Sequence, residues 1–439
     1  MTAENALHRI VVVGGGAGGL ELATRLSRRV GRRRQASIVL VDANLTHVWK
    51  PLFHEVAAGT LDAQVDALDY LAQATRHHFR FHYGRMNGLD RERRVIRLAP
   101  VEDDNGESVV PEREMPYDTL VLAVGSVSNH FNTPGAAEHC MYLDSTADAE
   151  RFQQSLVKAF FRAQMQGGPQ REGELSVVVV GAGATGVELA AELRNAARRA
   201  VSYGLDNIDP ETDLTLTLVE AADRVLPALS PGLSAKTHQQ LLSLGVRVLT
   251  SRKVVEVTPD GVRLSSDEFI PAEFRVWSAG IKAPDWLGEL DGLETNRINQ
   301  LVVKPTLQTT LDDNVFAMGD CAACPLNDTD RTVPPRAQAA SQQAIFLTRA
   351  LERRLDGREL EDFTYKDYGS LISLSDEHAV GRLMGSLFGS WMIEGFMART
   401  AYAMLYKKHL TALHGVGRVA VTTVLQTLYR HTRPRLKLH

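Results

Sequence analysis

The chain twice changes from an unbroken apolar run to a glycine-rich turn and then to apolar residues at helical spacing. Residues 10–13 are all apolar, as in a strand buried on both faces of a parallel sheet. After the turn, Leu22 and Leu26 recur at a spacing that predicts a helix. A second apolar strand over residues 37–42 ends in Asp42. The pattern therefore predicts a strand, a glycine turn, a helix, a strand and an acid.

The same order of elements returns in the middle of the chain. Residues 177–180 are apolar, Leu189 and Leu193 have helical spacing, and a later strand ends in Glu220. The polar residues 198–213 lengthen this copy, and we predict that they form a helix end followed by a loop.

Each copy then continues into a short meander and a buried strand that ends in a glycine, Gly125 in the first copy and Gly280 in the second. A repeat of this extent covers a whole domain. We therefore predict an α/β fold with two Rossmann-like dinucleotide-binding domains, as in glutathione-reductase-like flavoproteins. The alternative is a single working site beside a decayed copy, which the intact glycines of both copies disfavour.

Both turns match the spacing G-x-G-x-x-G, and each glycine has a physical task. The first allows a tight turn, the second lets the backbone approach a pyrophosphate, and the third lets the helix pack on the strand. The acid accepts hydrogen bonds from a ribose diol. The predicted cofactor-binding residues of the two copies are Gly14, Gly16, Gly19 and Asp42, and Gly181, Gly183, Gly186 and Glu220.

A third motif separates the roles of the two copies. An apolar strand over residues 315–318 leads into Gly319 and Asp320, which resembles the second flavin motif of two-dinucleotide-binding flavoproteins. In those proteins the aspartate binds the ribityl chain of FAD, and the strand belongs to the first domain. We therefore expect FAD in the first copy and an exchangeable nicotinamide in the second. Glu220 favours NADH because a carboxylate repels the 2′-phosphate of NADPH, although Arg224 lies close by.

The predicted domain limits follow from this discontinuous arrangement. They are an FAD-binding domain over residues 1–142 and 283–350, an NADH-binding domain over residues 143–282, and a C-terminal region over residues 351–439. A length of 439 residues fits two or three domains, and a formal net charge of -4 gives no sign of nucleic-acid binding. No signal peptide and no apolar run of about 18 residues is found in the sequence, so we expect the body of the protein in the cytoplasm.

The few cysteines narrow the choice of electron acceptor. Disulfide reductases of this superfamily carry a redox cysteine pair after the first glycine turn or within the nicotinamide domain, and neither segment contains a pair here. The C-x-x-C of Cys321 and Cys324 has too few ligands for structural zinc, so no metal site is predicted. The pair could bind Cu(I) or be redox-sensitive; the simpler interpretation is two small buried residues.

The sequence resembles the type II NADH dehydrogenases, the single-subunit, non-pumping NADH:quinone oxidoreductases of bacteria. The resemblance runs nearly end to end and depends on "VVVGGGAGGLELAT", "HVWKPLFHEVAAGTLD", "GAGATGVELAAEL", "VWSAGIKAP", "MGDCAACP" and "PPRAQAASQQA". It implies that FAD and NADH bind in tandem domains and that electrons pass to ubiquinone or menaquinone. One departure is the second turn, which has Ala182 where the family has a further glycine.

The resemblance also implies site residues. The A-Q-x-A-x-Q segment begins at Ala337 and places Gln338 and Gln342 at the quinone, and the family acid after the second turn falls on Glu188. Lys50 lies in a family-like segment and is expected to contact the flavin. His54 and Glu55 are candidate proton relays, with a structural hydrogen-bonding role as the alternative.

The C-terminal end differs in charge from the rest of the chain, since residues 395–439 contain no Asp or Glu. Basic amphipathic helices of this kind lie in membrane interfaces, which predicts peripheral attachment to the cytoplasmic face of the inner membrane. The alternative is packing on the protein itself or on a second subunit in a homodimer. The predicted basic residues are Arg399, Lys407, Lys408, Arg418, Arg430, Arg433, Arg435 and Lys437. The predicted apolar faces contain Met397, Ala401, Met404 and Leu405, and Val421, Val424, Leu425 and Leu428, with Gly415 and Gly417 separating the two helices.

Two rival functions are weighed against respiratory NADH:quinone oxidoreduction. One is a soluble NADH-dependent flavin reductase or oxidase of the disulfide-reductase superfamily, which the missing cysteine pair disfavours. The other is a flavin-bound redox sensor that uses NADH only as a binding switch.

Overall fold

The computed structural model describes residues 7–103, 105–326, 329, 331–373, 379–385 and 389–429. The described residues form two compact units. The first lies within Met1–Trp49, Ala67–Val127 and Ile281–Lys366, and the second within Lys50–Asp66, Ser128–Gly280 and Asp367–His439.

The helices of the described residues are distributed over both units. In chain order they are α1 Ala17–Leu26, α2 Phe53–Ala58, α3 Ala63–Asp66, α4 Tyr70–His77, α5 Ala136–His139, α6 Thr146–Gln166, α7 Ala184–Ser202, α8 Pro231–Ser243, α9 Ala337–Leu355, α10 Gly395–His414 and α11 Val416–Tyr429. One π-helical turn, Ser27–Gly31, extends α1.

The strands of the same residues are mostly short. In chain order they are β1 His8–Val13, β2 Ala36–Asp42, β3 Thr46–His47, β4 Leu68–Asp69, β5 Arg80–Tyr83, β6 Met86–Asp90, β7 Val95–Leu98, β8 Val101–Glu102, β9 Ser108–Val110, β10 Arg113–Pro116, β11 Thr119–Leu122, β12 Val127–Ser128, β13 Ser176–Val180, β14 Thr215–Val219, β15 Val246–Leu249, β16 Val254–Thr258, β17 Gly261–Leu264, β18 Phe269–Pro271, β19 Phe274–Trp277, β20 Ile281–Lys282, β21 Leu301–Val302, β22 Val315–Ala317, β23 Ala322–Ala323, β24 Gly369–Ser373, β25 Ala379–Gly385 and β26 Gly389–Glu394.

A five-stranded parallel sheet in the order β22-β11-β1-β2-β5 is the centre of the first unit. The apolar run of β1 is buried, as expected for a strand that has parallel strands on both sides within the sheet. The late strand β22 pairs with β11, as Leu120 lies opposite Val315. This confirms the prediction that the strand before Gly319 belongs to the first domain.

A four-stranded parallel sheet in the order β15-β14-β13-β19 is the centre of the second unit. The strand before the glycine turn is again central, with the acid-bearing strand on one side and a later strand on the other. Each unit also has a three-stranded antiparallel meander, β10-β7-β6 or β16-β17-β18. The repeat predicted from the sequence is therefore confirmed as a repeat of whole Rossmann domains.

The C-terminal segment consists of the antiparallel strands β24, β25 and β26 followed by α10 and α11. Gly415 adopts a positive φ of 83° between the two helices, where a left-handed residue ends a helix. The prediction that Gly417 also separates them is wrong, because α11 begins at Val416 and includes Gly417. Among the described residues, we find no helix with the length and apolar character needed to cross a bilayer.

Candidate active site

The first glycine turn has a geometry in which each glycine does something different. Gly14 has a φ of 100°, and its amide donates to the carbonyl of Val41. A Cβ on Gly19 would collide with the Gly14 carbonyl oxygen, whereas no described residue lies within 4 Å of the Cβ position of Gly16. The turn is therefore tight at Gly14, packed at Gly19 and open at Gly16, as binding of a pyrophosphate requires.

The second turn repeats this geometry closely. Gly181 has a φ of 101°, and its amide donates to the carbonyl of Val219. A Cβ on Gly186 would collide with the Gly181 carbonyl, and no described residue lies within 4 Å of the Cβ position of Gly183. Helices α1 and α7 start directly after Gly16 and Gly183, so their N-terminal amides face the turn.

Each of the two acids is hydrogen-bonded to the backbone of its own glycine turn. The amide of Gly15 donates to Asp42 Oδ2 at 2.6 Å, and the amide of Ala182 donates to Glu220 Oε2 at 2.7 Å. The second oxygen of each carboxylate accepts from the amide two residues on, which belongs to Asn44 or Ala222. Both carboxylates are therefore fixed at the ends of β2 and β14, beside the turns that they follow in sequence.

The glycine after the strand next to each turn also has the same place and a similar backbone conformation in both copies. Gly125 and Gly280 have φ values of 73° and 66° and lie just beyond β11 and β19. Beside the second turn, the Ser278 hydroxyl donates to the carbonyls of Val180 and Gly181 at 3.1 Å. These bonds join the carboxyl ends of β13 and β19, where ligands of open parallel sheets bind.

Gly319 and Asp320 follow β22 at the carboxyl edge of the first sheet. Gly319 has a φ of 72°, and the Asp320 carboxylate accepts from the Ser126 hydroxyl at 2.9 Å. The Gln343 amide oxygen accepts from the Gly319 amide at 2.7 Å, and Gln300 donates to the Asp320 carbonyl at 2.8 Å. Ser126, Gln300 and Gln343 were missed in the sequence, because each comes from a distant segment and has no spacing signal.

Tyr70 is a further residue that the sequence did not indicate. Its ring stacks on Phe81, and its hydroxyl donates to the Gly15 carbonyl at 2.8 Å. Burial raises the pKa of Tyr70 well above its usual value, so the phenol stays a neutral donor. Tyr70 thereby fixes the backbone of the first turn from a helix 55 residues away.

Helix α9 begins at Ala337, as the two preceding prolines predicted. Its small residues pack against α1, where a Cβ on Gly18 would contact Ala340. The side-chain amide of Gln342 bonds twice to the backbone of Lys366, donating to its carbonyl at 2.8 Å and accepting from its amide at 3.0 Å. Gln338 is half-buried one turn earlier on α9.

A buried group of ionisable residues lies between α2 and α7 in the second unit. His54 Nδ1 is 3.6 Å from a carboxylate oxygen of Glu188, and His54 Nε2 is 3.9 Å from Glu55. Burial lowers the pKa of His54 to about 4, against a weaker opposing effect of a hydrogen bond with the Pro51 backbone. Burial raises the pKa of Glu192, one turn after Glu188, against a hydrogen bond from Thr60. The structure thus places His54 and Glu55, the candidate proton relays, close to Glu188, the acid that the resemblance implied.

The remaining predicted side chains have other partners. The Lys50 ammonium is 3.7 Å from Asp144, whose carboxylate accepts from the Ser128 amide and hydroxyl. Cys321 and Cys324 are buried, and burial raises their thiol pKa values to about 11 and about 12. Both cysteines are buried, as the simpler interpretation of the C-x-x-C predicted, and the proposed Cu(I)-binding or redox role is not tested by their burial. In the described part of the chain, no group of three or more His, Cys, Asp or Glu side chains could hold a metal ion.

An apolar face of α11 is exposed. Val421 and Val424 are each 60% exposed, and Leu425 is 47% exposed on the same face; Met404 of α10 is also exposed. Several residues of the predicted basic and apolar surface lie outside the described residues or have side chains outside them. These are Met397, Arg399, Ala401, Leu405, Leu428, Arg430, Arg433, Arg435 and Lys437.

Comparison with known proteins agrees with this architecture. Residues 8–344 match the family described as pyridine nucleotide-disulphide oxidoreductase. The chain is 43% identical over 447 residues to the type II NADH:quinone oxidoreductase of Haemophilus influenzae, covering 99% of this chain and 100% of that one. It is 27% identical to the type II NADH:quinone oxidoreductase NdhA of Mycobacterium tuberculosis, over 95% of this chain and 88% of that one.

Solved structures show the same fold. The structure of NDH2 from Plasmodium falciparum in complex with NADH superposes with a TM-score of 0.79 at 17% identity, over 98% of this chain and 100% of that one. The chain therefore belongs to the pyridine nucleotide-disulphide oxidoreductases and, within them, to the type II NADH:quinone oxidoreductase family.

Proposed function

We propose that the two Rossmann units of this chain divide the family's reaction, with FAD on the N-terminal copy and NADH on the second. As a member of the family, the protein is a respiratory NADH:quinone oxidoreductase that carries FAD and takes NADH as its substrate. The observation that carries the proposal is the pair of complete glycine turns, each with its own acid. We retain the sequence-based domain limits 1–142 with 283–350 for FAD and 143–282 for NADH, although residues 50–66 and 128–142 belong to the second compact unit.

The first copy fits a tightly held FAD. Gly14, Gly16 and Gly19 offer an open backbone and the N-terminus of α1 to the pyrophosphate, and the carboxylate of Asp42 lies where an adenosine ribose would bind. At the same sheet edge, the Asp320 carboxylate is held by Ser126 and offers acceptors for ribityl hydroxyls. The further proposed contacts are Gly125, Gly319 and Lys50. When bound, FAD supplies the chemistry that separates two-electron oxidation of NADH from reduction of the quinone.

The second copy fits NADH rather than NADPH. Gly181, Gly183 and Gly186 would receive the pyrophosphate. We assign Gly280 to the nicotinamide end because it follows β19, on the side of β13 opposite to the strand that leads to Glu220. The Glu220 carboxylate is fixed by two backbone amides, so it would repel a 2′-phosphate without being able to turn away. Arg224 does not offset this charge, because its guanidinium donates to the Pro227 carbonyl and lies beside Asp223.

Quinone reduction consumes two protons, and the chain must deliver them. We assign this task to Glu188, His54 and Glu55. At neutral pH the buried His54 is uncharged, and a neutral imidazole has one N–H donor and one acceptor nitrogen. Its two ring nitrogens face Glu55, which is 28% exposed, and Glu188, which is 7% exposed, at 3.9 and 3.6 Å. In the proposed relay both contacts shorten to hydrogen bonds in place of the bond with Pro51, and a proton then passes from Glu55 toward Glu188.

The quinone itself is assigned to α9. Gln338 and Gln342 lie one turn apart on that helix, and their amides can donate to a quinone carbonyl without bringing a charge. The two hydrogen bonds from Gln342 to Lys366 attach the segment before β24 to this face of α9. The proposed quinone-binding wall therefore includes Ala337, Gln338, Gln342 and the backbone at Lys366.

A long-chain quinone stays in the bilayer, so its reductase must reach the membrane surface. We propose peripheral attachment to the cytoplasmic face of the inner membrane through α10, α11 and the basic C-terminal residues. The exposed apolar side chains of Val421, Val424 and Leu425 next to Arg418 support this assignment. A homodimer that buries the same face is the competing arrangement.

One experiment tests the activity and the membrane assignment together. Oxidation of NADH by the flavin-loaded protein is measured with ubiquinone-1 in solution and with ubiquinone-10 in anionic phospholipid vesicles. NADPH and an oxidised dithiol serve as negative controls. Gln338→Ala should lower turnover about 10-fold or more in both assays, whereas Gln239→Ala, a matched change of an exposed glutamine on α8, should not.

Val424→Asp should reduce turnover only in the vesicle assay. Fast NADH-dependent flavin reduction without quinone turnover would contradict the assignment of the acceptor. Equal turnover of the Val424→Asp variant in vesicles, together with a change from dimer to monomer, would favour the homodimer over the membrane.

A further inference from the structure

An exposed aromatic side chain lies at the carboxyl edge of the second sheet. Phe131 follows β12 in the segment that leads from Gly125 toward α5, and 59% of its surface is exposed. Phe131 and Asn132 have φ values of 52° and 54°. Two consecutive non-glycine residues rarely adopt this left-handed conformation, and such outliers concentrate at ligand clamps.

The surrounding bonds hold the backbone of this turn while leaving the ring free of polar partners. The Asn129 side chain accepts from the Phe131 amide at 2.9 Å, and the Asn129 amide donates to the Gly280 carbonyl at 3.2 Å. The buried indole of Trp277, the last residue of β19, donates to the Asn129 carbonyl at 2.9 Å. The turn is thereby attached to the loop that contains Gly280.

The ring of Phe131 covers Gly280 directly. A Cβ on Gly280 would collide with the outer carbons of the ring, so the aromatic side chain lies against the backbone of that residue. Gly280 follows Ser278, which contacts the glycine turn at Gly181. Phe131 therefore borders the crevice between the ends of β13 and β19, where a dinucleotide meets an open parallel sheet.

The first copy of the repeat provides an internal comparison. Gly125 is the counterpart of Gly280, with a similar φ, yet no described residue lies within 4 Å of its Cβ position. The copy assigned to a resident cofactor leaves this glycine uncovered. The copy assigned to an exchangeable substrate places an aromatic ring on it.

We propose that Phe131 is a binding residue for NADH, whose ring packs against the nicotinamide half of the dinucleotide beside Gly280. The inference rests on the proposed function, because it requires NADH on the second copy. A large ring on a pre-formed turn binds a planar apolar group with little loss of side-chain entropy. A fixed backbone with an exposed ring suits a substrate that enters and leaves in each turnover.

The test compares four variants of the flavin-loaded protein: Phe131→Ala, Phe131→Leu, Phe131→Tyr and Phe161→Ala. Phe161 is a matched control, since it is an exposed phenylalanine on α6. Phe131→Ala should raise KM for NADH and Kd for NAD⁺ about 3- to 10-fold with kcat changed less than twofold, as expected for loss of one aromatic contact. Phe131→Tyr should restore both constants, Phe131→Leu should lie between, and Phe161→Ala should match the wild type.

Several results would overturn the assignment. Unchanged KM and Kd values in Phe131→Ala would contradict it. Tighter NAD⁺ binding in that variant would also contradict it, because the ring would then block the nucleotide site instead of contacting the nucleotide. A parallel fall in kcat, flavin content and Tm, not rescued by tyrosine, would show a structural role only. Binding of NAD⁺ is measured without quinone, so it does not depend on quinone turnover. A wild-type protein that fails to reduce quinone would contradict the proposed function, and the Kd values of the Phe131 variants would still test the role of Phe131.

Discussion

The two copies of the glycine turn differ most in the helix that follows it. Glu21 and Glu188 occupy the same place, two residues after the third glycine, and both are buried. Four residues further on, the first copy has Arg25 and the second has Glu192. The same helix face therefore has a matched ion pair in one copy and two carboxyl groups in the other.

Glu21 and Glu188 have different partners because the residue one helical turn later differs between the two copies. Arg25 donates to Glu21 at 2.7 Å, which neutralises the buried carboxylate within its own helix. Glu188 has no basic residue one turn away and instead lies 3.6 Å from His54 on α2. A repeated scaffold can thus use one position to stabilise a helix in one copy and to place an ionisable group in the other. The residue four positions on, Arg25 in one copy and Glu192 in the other, is the difference in sequence that accompanies this change of contacts.

The largest expected effect comes from breaking one turn at a time. Gly19→Val and Gly186→Val each place a side chain against the carbonyl of the first glycine of the turn. We expect Gly19→Val to abolish flavin binding and with it all activity. Gly186→Val should keep the yellow flavin but lose NADH oxidation by at least about 100-fold, because the added side chain pushes α7 away from Gly181 and distorts the turn that would receive the pyrophosphate. Flavin absorbance after gel filtration and NADH titration measure the two losses separately; loss of flavin in both variants would contradict the division of roles.

The order of apolar, glycine and acidic residues in the sequence was sufficient to predict the two glycine turns, their acids and the strand before Gly319. Each of these features depends on the order of residues within one strand-turn-helix unit. The bonds from Tyr70 to Gly15 and from Gln343 to Gly319 could not be predicted in this way. They join segments far apart in the chain, and a tyrosine or glutamine on a helix has no spacing that reveals its partner. The pairing of His54 with Glu188 was missed for the same reason, although each residue was singled out.

A smaller effect should separate the two buried glutamates. Glu188→Gln removes the carboxyl group that we propose as a proton carrier and should lower quinone-dependent kcat about 100-fold. Glu21→Gln should leave kcat within about twofold and lower the free energy of unfolding by about 1 kcal/mol, since Arg25 is partly exposed. Steady-state kinetics and urea denaturation give the two numbers. Equal losses of kcat in both variants would show that position on the helix, not the partner, determines the role.

The smallest expected effect is the pH dependence that His54 contributes to stability. Burial lowers its pKa from 6.5 to about 4. The unfolded chain therefore binds more protons between these two values, and the free energy of unfolding falls as the pH drops through that window. The loss attributable to His54 is at most about 3 kcal/mol, fully present below pH 4 and absent above pH 6.5.

His54→Gln should remove this contribution and flatten the acid side of the stability profile, measured by urea denaturation at intervals from pH 4 to pH 7. His409 is a matched comparison, because it is also buried and its pKa is also lowered to about 4, chiefly by burial. His409→Gln should flatten the profile to a similar extent with quinone-dependent kcat within about twofold, whereas His54→Gln should lower kcat as well. The difference in kcat would then be due to the contact of His54 with Glu188, not to burial of an imidazole. Equal kcat values in His54→Gln and His409→Gln would show that His54 is not part of the proposed proton relay.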